Sequence, residues 1–178
     1  MNHAQVAAAV SGANATTTAI KQSPGKYLPE GTGPAYWGPG DEVTFLLTGR
    51  ETDGALFVSE LSVPPGGGPP PHIHHREDES FYIRQGTLAI LVGDRTVNVS
   101  PGDFVHVPRG TVHCFRNTGS GHAKMLVTFT PAGMERFFEE GFYPAGDRSV
   151  GPPPLTEELL KRMLAAAPKC GLEFLPPA

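Results

Sequence analysis

Basic residues are scarce. The 178-residue chain has 14 Lys and Arg against 18 Asp and Glu, a formal net charge of −4. It has no positive surplus with which to grip nucleic acid or an anionic lipid surface. Charged residues make up only 18% of the chain, against the usual figure of roughly a quarter. Cysteine is nearly absent. Cys114 and Cys170 are too few for a disulfide framework and read as two free thiols in a reducing compartment. No apolar run reaches the roughly 18 residues of a membrane-spanning helix. Met1 to Ala19, rich in Ala and Thr, lacks the basic and apolar stretches of a secretory leader. A cytoplasmic setting is therefore expected, with no nucleic-acid partner and no membrane partner.

Glycine and proline are abundant. Gly (22) and Pro (19) together make about 23% of the chain, well above the average of roughly 12%. That composition favours short elements joined by tight turns, hence an all-β fold. The length predicts one domain. Residues 1–35 carry little pattern and read as a flexible N-terminal arm, or an added edge strand. Residues 36–131 read as a β-barrel, and 132–178 as a C-terminal helical extension packed on it. Strands are expected over Val43–Leu47 and Ala55–Val63, separated by a turn at Gly49–Gly54. Pro64–Pro71 is a loop, since proline removes ladder donors. Further strands are expected over His72–His74, Glu79–Arg84, Thr87–Val92, Arg95–Ser100, Phe104–Val107, Val112–Arg116 and Lys124–Thr130, with a two-residue hairpin at Gly93-Asp94. A first helix is expected between the cap pair Thr130-Pro131 and Gly141. Its face would be Met134, Phe137 and Phe138. A second is expected from Thr156 to Ala167, striped by Leu159, Leu160, Met163 and Leu164 and ended by Pro168.

Three of the seven histidines fall into a pattern with one glutamate. Residues i and i+2 of a strand point to one face, so His72 and His74 present two imidazoles side by side. Glu79 follows across a short turn. His113 arrives from a distant segment, delivered by the turn Pro108-Arg109-Gly110. Three imidazoles and a carboxylate suit a borderline divalent metal and leave a position open for water or substrate. By the same parity His75 points away, as do Tyr82 and Arg84. His3, His106 and His122 read as ordinary polar residues. Phe81, Ile83, Leu88, Ile90, Phe104 and Phe115 are candidates for an apolar wall, or for plain barrel core. Cys114 adjoins His113 but should face the other way.

Two blocks carry these residues. The first is Gly66, five residues, His72-Ile73-His74, four residues, Glu79, six residues, Gly86. The second is Gly102, five residues, Pro108-Arg109-Gly110, two residues, His113, three residues, Asn117. At every fixed position they resemble the two signature motifs of the cupin superfamily, and the fifteen residues between Gly86 and Gly102 are similar to the short spacer of a small cupin. The resemblance implies a double-stranded β-helix, or jelly-roll barrel, of six to eight strands, with His72, His74, Glu79 and His113 as metal ligands. From about Ala35 to Gly141, the stretches PPPHIHHREDESFYIRQG, PGDFVHVPRGTVHCFRN and TPAGMERFFEE resemble single-domain cupins grouped with quercetin 2,3-dioxygenases.

The resemblance implies a metal-dependent oxygenase, a dioxygenase acting on a flavonol-like or other aromatic or enol substrate with O₂. The metal would be one divalent ion: Fe, Mn, Ni, Co, Cu or Zn. Glu79, ionised beside it, would be the catalytic base. The alternative is a non-redox cupin (isomerase, lyase or cyclase), or a metal-containing small-molecule binding protein without turnover. No serine or cysteine nucleophile motif competes with either. A homodimer is expected, because the segment holding Tyr36 and Trp37 could extend a partner's sheet.

Overall fold

The computed structural model describes residues 25–176, so residues 1–24 of the expected arm lie outside the described residues. Twelve strands run in chain order among them. They are β1 (Ala35–Trp37), β2 (Glu42–Leu47), β3 (Phe57–Val63), β4 (His72–His74), β5 (Asp78–Gln85), β6 (Leu88–Val92), β7 (Arg95–Val99), β8 (Phe104–Val107), β9 (His113–Asn117), β10 (Ala123–Thr130), β11 (Tyr143–Pro144) and β12 (Leu172–Phe174). Helix α1 covers Gly49–Thr52, α2 Glu135–Gly141 and α3 Glu157–Cys170. The strands form two antiparallel sheets. One has the order β11-β1-β2-β3-β10-β5-β8 and the other β12-β4-β9-β6-β7. This is the all-β jelly-roll barrel the motifs implied.

Period-two burial explains why the strands lie where they do. In β3 and along most of β10, buried and half-buried residues alternate strictly, which puts Phe57, Val63, Met125, Val127 and Phe129 into the space between the sheets. Phe57 stacks on Phe129 with ring centroids 5.6 Å apart, and Phe45 meets Phe57 edge-on at 4.9 Å. Burying one such ring contributes roughly 1.5–3 kcal/mol. The Gly93-Asp94 hairpin forms as expected, with Val92 opposite Arg95.

The two sequence motifs are physically tied together. Asn117, the last residue of the second, is buried and donates through Nδ2 to Val63 O and Gly121 O. Its backbone exchanges hydrogen bonds with Gly66 and Gly67 at the start of the first motif. Gly86 closes the first motif at φ +78°, and a Cβ there would lie 2.8 Å from Ala123 Cα.

Several local expectations are corrected. Gly49–Gly54 is not a plain turn, because Thr48 and Glu51 form a capping box that starts α1. Thr130-Pro131 is a cis peptide bond rather than a helix cap, and α2 begins only after Met134. Pro168 lies inside α3, which continues to Cys170 and stops where Gly171 takes φ +73°. A proline removes one helical donor there but leaves the remaining turn intact. Thr156 caps α3 as expected, its Oγ1 accepting from Leu159 N at 3.1 Å. Tyr36 and Trp37 do not offer an open edge, since β1 is paired on one side by β2 and on the other by β11. Phe104 is 64% exposed and belongs to no wall.

Replacing Gly86 by Ala combines a left-handed backbone with a backbone collision. The variant is expected to lose at least about 2 kcal/mol of stability, read as a lowered urea midpoint.

Candidate metal centre

The structure brings His72, His74, Glu79 and His113 together. Each offers one donor atom, and those atoms all lie within 4.8 Å of one another. The three histidines come from the smaller sheet and Glu79 from the larger one, so the set bridges the two layers. His72 and His113 are directly opposed on neighbouring strands, the only register pair that β4 and β9 share. Glu79 projects from the start of β5, flanked by Val107 and Phe129. All four are buried, none more than 6% exposed.

Hydrogen bonds fix the ring orientations. His72 Nδ1 lies 2.9 Å from Pro70 O and His113 Nδ1 lies 2.9 Å from Thr111 O. A carbonyl oxygen only accepts, so each Nδ1 carries a proton; on a neutral ring Nε2 keeps the lone pair that a metal needs, and where His113 bonds Glu79 its Nε2 carries a second proton. His113 Nε2 lies 2.8 Å from Glu79 Oε2, and His74 Nε2 lies 3.3 Å from the same oxygen. The turn that delivers His113 is pinned twice. Gly110 N donates to His74 O at 2.8 Å, and Arg109 holds Asp78 through two side-chain bonds at 3.0 and 3.1 Å.

The electrostatics match a cation at this place. Burial pushes the Glu79 carboxyl up, but the imidazoles of His74 and His113 outweigh it and hold its pKa down to about 2. Burial, then the neighbouring His113 and His74, pushes His72 down to about 3. His113 moves the other way: burial lowers it, yet its bond to Glu79 prevails and raises it. A carboxylate and three imidazoles taken out of water thus share too little positive charge. A divalent ion would supply it, so the residues present suit a metal.

A cavity of about 420 Å³ reaches this cluster, within the range of small-molecule sites. His72, His74 and Glu79 stand in its wall, with Phe115, Phe129 and Phe138 around them. The helical extension contributes Leu160, Met163 and Leu164 from α3, and β12 adds Leu172 and Phe174. Leu155, Leu160 and Leu164 are also among the exposed large apolar side chains, so they mark the mouth. Of the wall candidates named from sequence, only Phe115 lines the cavity; Phe81, Ile83, Leu88 and Ile90 are core. His75 faces outward and pairs with Glu173 at 2.8 Å, and His106 bonds Ser80 at 3.0 Å on the exposed side.

Sequence reading missed β12, which lies directly on the metal-site strand with Leu172 opposite His74 and Phe174 opposite His72. Its signal was present as a glycine followed by the alternation Leu172-Glu173-Phe174. It also missed Asp41, a second carboxylate in the cavity wall. Asp41 Oδ1 is shut off from solvent and has no hydrogen-bond partner among the described residues. Burial pushes its pKa up from 3.8 to about 7.

The chain resembles known proteins along this same region. The family model described as Cupin domain matches residues 59–129. The chain is 33% identical over 123 residues to quercetin 2,3-dioxygenase of Bacillus subtilis, covering 62% of this chain and 35% of that protein. It is 30% identical over 94 residues to Protein SchB of Streptomyces halstedii, 52% of this chain and 67% of that one. It therefore spans about a third of the Bacillus enzyme's length. Among solved structures, KdgF from Halomonas sp. superposes with a TM-score of 0.54 at 19% identity, covering 61% of this chain and 94% of that one. An RmlC-like cupin from Shewanella frigidimarina gives 0.54 at 20% identity, over 65% and 98% of the two chains. At these identities the structures speak to the fold.

The Asp41 carboxyl sets a pH dependence of stability. Between about pH 4 and pH 7 the folded chain keeps a proton there that the unfolded chain releases. The residue's contribution to stability therefore falls as pH rises through that window. Asp41→Asn is expected to flatten this fall and to raise the Tm at pH 8 by several degrees. Thermal unfolding followed by circular dichroism at pH 4.5 and pH 8 checks it.

Proposed function

The chain belongs to the cupin superfamily, and from that premise we propose that it is a metal-dependent oxygenase acting on a flavonol-like or other aromatic or enol substrate. In this reading His72, His74, Glu79 and His113 hold one divalent transition metal, and O₂ is the second substrate. The observation that carries it is the convergence of four buried donors on an aromatic-walled cavity. The 33% identity to a quercetin 2,3-dioxygenase supports it. When bound, such a metal supplies Lewis acidity toward an enolic or phenolic oxygen and, in its redox-active forms, a route for reaction with O₂.

The chain's own residues do the rest. Pro70 O and Thr111 O hold the rings of His72 and His113 with their Nε2 atoms turned to the ligand position. Glu79 is the catalytic base. Its carboxylate stays ionised at neutral pH, so its oxygens can take the proton of a substrate hydroxyl that enters beside it. Phe115 and Phe129 present apolar walls to a planar ring. They also keep water from the reacting end.

Elemental analysis of protein purified without chelators tests the reading. About one iron, manganese, nickel, cobalt or copper per chain is expected, with O₂ uptake on flavonols; stoichiometric zinc would move the site to Lewis-acid chemistry without O₂. His113→Ala is expected to drop occupancy well below one metal per chain. Glu79→Gln is expected to retain the metal and lose about 100-fold or more of turnover. Unchanged occupancy in the first variant, or full turnover in the second, removes that residue from its role.

A further inference from the structure

Among the described residues, one ionisable side chain outside the His72, His74, Glu79 and His113 cluster lines the cavity. That residue is Asp41. It follows β1 in the tight segment Gly38–Asp41, where Gly38 N donates to Asp41 O at 3.0 Å. The neighbouring Gly40 N donates to Pro153 O at 3.0 Å, which ties this segment to the chain leading into α3. The backbone at Asp41 is thus held in place, tied to β1 on one side and to the chain leading into α3 on the other. Nothing among the described residues bonds its Oδ1. The neighbouring half-buried acid has partners: Glu42 receives Trp37 Nε1 at 2.9 Å and is paired with Arg148. Glu77 Oε2 is also buried without a partner, but Glu77 does not line this cavity.

An unpartnered carboxyl in an apolar wall is destabilising unless something else bonds it. Asp41 stands in the cavity wall, so a hydrogen-bond donor on the molecule that fills the space is one source of such a bond. We propose that Asp41 is a second substrate anchor, receiving a hydroxyl of an aromatic molecule whose opposite end reaches His72, His74 and Glu79. The site then selects polyhydroxylated over singly hydroxylated aromatics. This rests on the aromatic reading above and specifies its substrate class. A carboxyl close to half-protonation at neutral pH suits a hydroxyl, because it can accept from one and donate to another. Asp41 is a positioning and specificity residue, separate from the base.

Calorimetric titration of the metal-loaded protein under anaerobic conditions tests this without turnover. The probes are 3-hydroxyflavone, which carries only the enolic hydroxyl, and quercetin, the same skeleton with further hydroxyls at both ends. The native chain is expected to bind quercetin about tenfold or more tightly than 3-hydroxyflavone, the worth of a hydrogen bond to a charged group. Asp41→Asn should shrink that preference and Asp41→Leu should abolish it, while both variants keep the affinity for 3-hydroxyflavone and the metal content. Equal binding of the two probes by the native chain overturns the anchor and leaves the aromatic reading standing. So does an undiminished preference in both variants. Binding of neither probe overturns the aromatic reading and the anchor with it.

Discussion

A buried carboxylate surrounded by imidazoles is the constraint around which this molecule is arranged. Water solvates such groups cheaply, whereas a barrel interior does not. Glu79 is 4% exposed and His113 1%, so their mutual bond at 2.8 Å is what keeps either of them tolerable in the absence of a stronger charge. The protein accepts this because the two sheets meet there. The smaller sheet brings three nitrogen donors, the larger one brings the oxygen donor, and neither sheet alone could make the set. Backbone carbonyls at Pro70 and Thr111 then settle which nitrogen faces inward. The polar core is specified by backbone geometry, and rotamer freedom of the ligands is correspondingly small.

The rest of the cavity is a consequence of that arrangement. Small barrels usually fill their interior with side chains, and one half of this one does so with Phe81, Ile83, Leu88 and Ile90. The other half stays open because α2, α3 and β12 roof it instead of filling it. The C-terminal extension is therefore part of the cavity wall as well as packing on the barrel. Leu159, Ala166, Ala167 and Cys170 of α3 go to the core, while Leu160, Met163 and Leu164 go to the cavity. One amphipathic helix serves two apolar surfaces, and its exposed leucines follow from the second.

The barrel and the four clustered residues were legible because their signals are local and periodic. His72 and His74 share a face by strand parity, and the glycines of the two motifs mark turns that survive in the structure at Gly86 and Gly110. The distant His113 could be placed because the motif spacing resembles a known family. What escaped reading depends on contacts with no local pattern. Phe104 lies opposite Tyr82 on the outward parity of β8, so it is exposed while Val105 and Val107 turn inward; the parity could not be anchored without the strand's register. Pro168 looked like a helix end because a proline's cost depends on how much helix remains beyond it. Asp41 sits in a glycine- and proline-rich segment where one more aspartate attracts no notice. Its character comes from burial, at a place where Gly40 N bonds Pro153 O of the chain leading into α3.

The pairing of β12 with β4 has a bearing on how the chain is made. The strand that carries His72 and His74 is three residues long, bounded by Pro69 to Pro71 on one side, and touches β9 in register at a single pair. Its fuller partner is Leu172–Phe174. During synthesis at roughly 5–20 residues per second, that partner emerges on the order of ten seconds after His74 has left the ribosome. Over that interval the imidazoles are already exposed, unsheltered by their last neighbour. All four donors are made once His113 has been added, but the strand that pairs with β4 along its whole length comes about sixty residues later.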